Sequence, residues 1–116
     1  MHKHKFDLEE RTLKFAKAVI RLCKKLQQKV INRELISQLI RSSGSVGANY
    51  REANEALSKK DFSYRIKISR KEAKESYYWL QLLQEANPEY EEDIGKLLKE
   101  ALELRKIFSS IVTKSS

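Results

Sequence analysis

The sequence predicts an all-α fold, an up-down-up-down antiparallel bundle of four helices. Two observations predict the helices. Apolar residues recur at spacings of three, four and seven along nearly the whole chain, and only one proline and three glycines interrupt 116 residues. A third predicts the topology: the breaks are so short that neighbouring helices must run antiparallel. One domain over residues 1–116 follows, with frayed ends expected at 1–5 and 114–116.

The first helix is expected from about Leu8 to Lys29. Asp7 can cap it, and Glu10, three residues on, can complete a capping box. Leu8, Phe15, Val19, Leu22, Leu26 and Val30 make its apolar stripe. A second helix begins near Asn32 or Arg33 and continues to about Ala56, with Ile36, Leu39, Ile40, Val46, Tyr50, Ala53 and Leu57 on one face. Ser58 caps the third, and Asp61 complements its exposed amides. Phe62, Ile66, Ala73, Tyr77, Leu80 and Leu83 face inward there.

Asn87-Pro88 is the sharpest boundary in the chain. Asparagine caps, proline fits the first helical position, and Glu89, Glu91, Glu92 and Asp93 suit the positive end of a helix dipole. The fourth helix then buries Ile94, Leu97, Leu98, Ala101, Leu104, Phe108 and Ile111. Turns therefore fall near residues 31, 58 and 87. Reflection through them places Trp79 opposite Gly95, Phe15 opposite Gly47 and Arg41 opposite Glu75. A glycine inside a helix costs about 1 kcal/mol against alanine, so close packing at Gly47 and Gly95 is the expected compensation.

With 41% hydrophobic and 34% charged residues, the composition suits a globular protein with a heavily solvated surface. Cys23 alone cannot build a disulfide framework, and it reads as a small apolar core residue. No apolar run reaches the ~20 residues that cross a bilayer. The start, MHKHKFDLEE, lacks the apolar core and cleavage site of a secretory signal, so a cytoplasmic protein without a membrane partner is expected. A net charge of +8 and a pI near 9.6 favour a polyanionic partner, RNA or DNA first.

Catalysis has little to stand on. Histidine occurs only at His2 and His4, whereas a metal bundle of the di-iron kind needs a Glu-x-x-His motif on each of two helices. Gly44-Ser45-Val46-Gly47 lacks the lysine of a phosphate loop and continues in helix. Ser42, Ser43 and Ser45 have no base beside them. Glu52, Glu72 and Glu75 are interleaved with Arg51, Lys71 and Lys74 and read as ion-pair partners. A non-enzyme with no cofactor and no metal site is expected.

Charge placement says more. Arg11, Lys14, Lys17, Arg21, Lys24 and Lys25 step by threes and fours along one face of the first helix, with no acid in that series. Lys60, Lys67, Lys71 and Lys74 fall in one narrow sector of the third. These ten residues are the candidate phosphate contacts. Neither an RNA-stacking platform nor a helix-turn-helix is evident, so phosphates and shape would be read rather than sequence. Leu13, Ile20, Ile31, Tyr78 and Leu82 lie outside the core stripes, as residues of an interface would.

Three stretches carry a resemblance: QLIRSSGSVGANYREA (38–53), SKKDFSYRIKISRKEAKES (58–76) and YYWLQLL (77–83). Through them the chain resembles the four-helix-bundle family encoded by intervening sequences of bacterial 23S ribosomal RNA genes, with weaker similarity over most of residues 6–112. The resemblance implies a homopentamer, a ring of five bundles that would gather the basic faces. Spacing alone fits an Arg41–Glu75 ion pair and two separately solvated side chains equally well; the resemblance favours the pair. A related branch assists the reverse transcriptase of diversity-generating retroelements, which makes a reverse transcriptase an alternative partner. A scaffold docking an acidic protein is the other alternative.

Overall fold

Helical periodicity is realised along the whole chain. The computed structural model describes the backbone of residues 2–115 and the side chains of residues 8–114. It places α1 at His2–Lys25, α2 at Val30–Asn54, α3 at Lys59–Ala86 and α4 at Glu91–Ser115, with a short 3-10 turn, Pro88–Tyr90, before the last. No strand occurs among the described residues. Helices of 24 to 28 residues are about 36 to 42 Å long at 1.5 Å per residue. That length accounts for the 44 Å long axis, and the 22 and 19 Å cross-section is two helices wide in each direction. Successive helices pack side by side and α4 closes against α1, while α1 and α3 stand diagonally and do not meet.

The helix ends differ from expectation at the first boundary. Helix α1 begins at His2, so Asp7 sits inside the helix rather than at its cap, and its side chain lies outside the described residues. Glu10 turns to Lys14 at 3.4 Å and closes no capping box. The helix stops at Lys25, and side chains take the carbonyls at and just beyond its end, with the Tyr90 hydroxyl donating to Lys25 O at 3.2 Å. Gln28 Nε2 donates to Cys23 O at 3.2 Å and Leu26 O at 2.8 Å, and Asn32 Nδ2 donates to Gln27 O at 2.8 Å. The chain re-enters helix at Val30, which is 68% exposed and belongs to no stripe of α1.

The second boundary matches the reading. Ser58 is extended and its hydroxyl accepts from the Asp61 amide at 3.0 Å, with Asp61 in the first turn. Leu57, expected on the inner face of α2, stands in the turn and is fully exposed. At the third boundary Pro88 opens the 3-10 turn, but Asn87 does not cap with its side chain. Its amide is buried and used elsewhere.

Asn32 and Asn87 form a reciprocal pair at one end of the bundle. Asn32 Nδ2 donates to Asn87 Oδ1 at 2.9 Å, and Asn87 Nδ2 donates to Asn32 Oδ1 at 2.8 Å and to Leu83 O at 2.9 Å. The α1–α2 turn is thereby tied to the α3–α4 turn. Buried amides are costly unless bonded, and both of these are bonded.

The core follows the helical stripes. Leu8, Phe15, Val19, Leu22 and Leu26 of α1, Leu39, Val46, Tyr50 and Ala53 of α2, Ile66, Ala73, Leu80 and Leu83 of α3, and Ile94, Leu97, Ala101, Leu104 and Phe108 of α4 are buried together. Each large aliphatic side chain so placed contributes about 1.5–3 kcal/mol. Tyr50 and Phe108 meet across the bundle diagonal with ring centroids 5.9 Å apart. Ile40, expected in the core, lies at its outer edge and is exposed. Helices α2 and α3 pack most closely, over the buried Ser42, Ser69, Ala73 and Ser76. Their hydroxyls are satisfied without water: Ser69 Oγ donates to Val46 O and Ser76 Oγ to Ser42 Oγ, both at 2.9 Å.

The glycine contacts are redistributed. Gly47 does face a tight contact, but with Thr12 rather than Phe15: a Cβ there would lie 2.8 Å from Thr12 Oγ1 and 3.1 Å from its Cβ. Gly95 faces open space, with nothing within 4 Å of an added Cβ, so it makes no seat for Trp79. The indole instead packs partly buried against the core and meets Tyr78 edge-to-face at 5.1 Å. Arg41 and Glu75 are both exposed and form no ion pair with each other.

Candidate nucleic-acid interface

Each basic face arises because the opposite face of its helix is buried. On α1, Leu8, Phe15, Val19, Leu22 and Leu26 point inward, which turns Lys14, Lys17, Arg21 and Lys24 to solvent. On α3, Ile66, Ala73 and Leu80 do the same for Lys60, Lys67, Lys71 and Lys74. All eight are exposed. Because α1 and α3 are diagonal, the two faces look in opposite directions, and a single chain does not merge them.

Acids divide the α1 series, and most of them come from α4. Arg11 binds Glu100 bidentately, Nε to Oε2 at 2.7 Å and Nη2 to Oε1 at 2.9 Å. That hydrogen bond holds the guanidinium more firmly in its charged form, against the opposing effect of burial. Lys25 lies 3.5 Å from Asp93, and Lys14 is shared with Glu10 of its own helix. Among the described residues Lys17, Arg21 and Lys24 have no ion-pair partner, and they form the open centre of the face. On α3, among the described residues, Lys71 is the one of these lysines in an ion pair, with Glu72 at 3.8 Å. Burial, and then Glu75, raise the Glu72 carboxyl above its ordinary value, and Lys71 opposes them.

Chemistry inside the bundle is sparse. Burial pushes the Cys23 thiol up to about 11, so it stays protonated and unreactive. No cluster of three or more metal-capable side chains occurs among the described residues, and the His2 and His4 side chains lie outside them. No helix of the described residues is long and apolar enough to cross a membrane. Ser42, Ser43 and Ser45 bond to backbone carbonyls or to neighbouring polar side chains rather than to any base.

Sequence reasoning missed Glu100 and Asp93 as partners of the α1 face. The signal was present in the antiparallel closure of α4 on α1, which sets acids of α4 beside bases of α1. It also missed Asn32. A polar residue in the first turn of α2 has no periodic signature, and only the buried Asn87 across the bundle end explains it.

The fold and its outward cations define a basic antiparallel four-helix bundle whose candidate site is a surface, not a cavity. The chain belongs to the 23S rRNA-intervening sequence protein family, whose model matches residues 4–110. The resemblance carried by residues 38–83 is thus borne out. A similar solved structure is a protein of unknown function from the S23 ribosomal protein family of Bacteroides thetaiotaomicron. It is 32% identical, with a TM-score of 0.81, and the match covers 90% of this chain and 97% of that one. No curated protein matches the chain.

Proposed function

We propose that this protein is a non-enzymatic, homo-oligomeric basic bundle that binds RNA or DNA through phosphate contacts. The observation that carries the reading is the trio Lys17, Arg21 and Lys24, three exposed cations without acidic partners among the described residues, on one face of a chain with net charge +8. Unpaired cations attract phosphates because binding releases the counterions condensed on the nucleic acid. A family named for ribosomal RNA intervening sequences accords with such a ligand. Arg11, Lys14 and Lys25 flank the trio and can exchange an acid for a phosphate.

Changing Lys17, Arg21 and Lys24 together to glutamine is expected to weaken binding without unfolding the chain. The slope of log affinity against log salt should become shallower by about 0.9 for each lost phosphate contact on duplex DNA. The loss should be similar across unrelated sequences of equal length. A variant that binds as tightly as the parent, with the same slope, would reduce this face to a solvated surface.

Self-association rests on a separate surface. Leu13, Ile20 and Ile40 are exposed on α1 and α2, and pairing these antiparallel helices through the Thr12–Gly47 contact puts Ile20 at about the level of Ile40. Contiguous apolar side chains of this kind mark an interface. The pentamer is the state proposed, and it would multiply the basic faces fivefold. Light scattering should therefore report about five times the chain mass, and a mass of 13.6 kDa at micromolar concentration would overturn self-association.

A further inference from the structure

Among the described residues Tyr64 and Tyr78 are the two exposed aromatic side chains, at 60% and 54%. Both stand in the same file as the α3 lysines. At about 100° per residue, Lys60, Tyr64, Lys67, Lys71, Lys74 and Tyr78 share a sector of about 80° on the solvent side of α3. The acids of the helix border that stretch rather than interrupt it. Asp61, Glu72 and Glu75 lie toward α2, and Glu85 follows Tyr78 by two turns. Nothing in the bundle buries either ring: Tyr78 touches Trp79 edge-to-face, and Tyr64 lies 6.0 Å from the Arg65 guanidinium.

We infer that α3 carries a site for single-stranded nucleic acid, with Tyr64 and Tyr78 as base-stacking platforms and Lys67, Lys71 and Lys74 between them as phosphate contacts. The inference rests on the nucleic-acid reading above and adds to it the strand class and a second face. A single strand offers both parts of what this file can hold. Its phosphates suit the ammonium groups, and its unstacked bases suit aromatic rings whatever their sequence. A duplex has its bases stacked on one another and presents only their edges in the grooves, so the rings would gain no partner there. The two rings are about 21 Å apart along the helix axis, a span suited to a short segment of about four nucleotides or slightly more.

The test uses the full chain, a labelled oligothymidine and a duplex of equal length. Replacing Tyr64 and Tyr78 together by alanine should weaken oligothymidine binding about tenfold or more while leaving duplex binding unchanged. The phenylalanine pair, which keeps the rings, should bind like the parent. Trp79, the sole tryptophan, lies 5.1 Å from Tyr78 and should change its emission when oligothymidine binds, with the change lost in Tyr78→Ala. The inference is overturned if the alanine pair binds oligothymidine like the parent, if it loses both ligands equally, or if the phenylalanine pair fails with it. A parent that binds duplex but not oligothymidine overturns this inference alone. A parent that binds neither overturns the nucleic-acid reading as well.

Discussion

Asn32→Ala is expected to destabilise the bundle by about 2–3 kcal/mol, a large share of the stability of a small domain. Asn32 is 6% exposed and Asn87 is 3%, so neither amide has water to fall back on. Truncating Asn32 removes the donor to Asn87 Oδ1, one acceptor of Asn87 Nδ2 and the bond to Gln27 O. What remains is a buried Asn87 amide held only by its bond to Leu83 O. Asn87→Ala should cost about as much, for the mirrored reason. The double variant should cost clearly less than the sum, because the second truncation removes the group that the first left unpaired. Urea denaturation of the two singles and the double measures this. A single loss below about 0.5 kcal/mol, or strict additivity, would show that the pair does not lock the bundle end.

Gly47→Leu is expected to lower stability by about 3 kcal/mol, the upper end of what overpacking ordinarily costs. Even a Cβ would fall 2.8 Å from Thr12 Oγ1, and Thr12 cannot move aside easily. It is short, β-branched and buried, and its hydroxyl donates to Leu8 O at 2.7 Å. The gain in helix propensity, about 0.8–1 kcal/mol, offsets only part of that strain. Gly44 is the internal control. It sits one turn earlier on α2 with nothing within 4 Å of an added Cβ, so Gly44→Leu should be neutral or stabilising by up to about 1 kcal/mol. Thr12→Ala in the Gly47→Leu background should recover part of the loss. Thermal melts in which the Gly44 and Gly47 variants coincide would show that α1 and α2 do not approach at this point.

Much of this protein is determined by its sequence alone, because the relevant physics is local. Four helices, the Ser58 cap and the buried faces through Val19, Leu39, Val46, Ile66, Ala73, Leu104 and Phe108 follow from periodicity and capping, which act within one or two turns. The lysines of α3 face solvent for the same reason. Tyr64 belongs to that file by the same periodicity, three residues before Lys67, but periodicity does not tell that no other helix covers its ring.

Pairings between helices were decided by the tertiary structure. Reflection about Ile31 sets Phe15 against Gly47, yet the contact is Thr12, close to one turn away. Helix α1 ends at Lys25, Gln28 and Asn32 bond the carbonyls of Cys23, Leu26 and Gln27 around that end, and the turn so formed centres before Ile31 and shifts the α1–α2 pairing. A shift of one or two residues at a turn is doubled in the pairing across the hairpin. Gly95 faces open space and Arg41 stands apart from Glu75 for a different reason. Their turns fall where expected, and Ser42 meets Ser76 beside Arg41 and Glu75, but a shared level along the axis does not fix which face of its helix a side chain takes. The α1 face shows the same division. Periodicity could place six cations in a row, but whether each was free depended on acids from another helix. Only the closure of α4 on α1 gave Arg11 to Glu100 and Lys25 to Asp93, and left Lys17, Arg21 and Lys24 uncompensated. Ion pairs between helices distant in sequence form where packing brings charges within a few ångströms, and no periodicity within one helix encodes that distance.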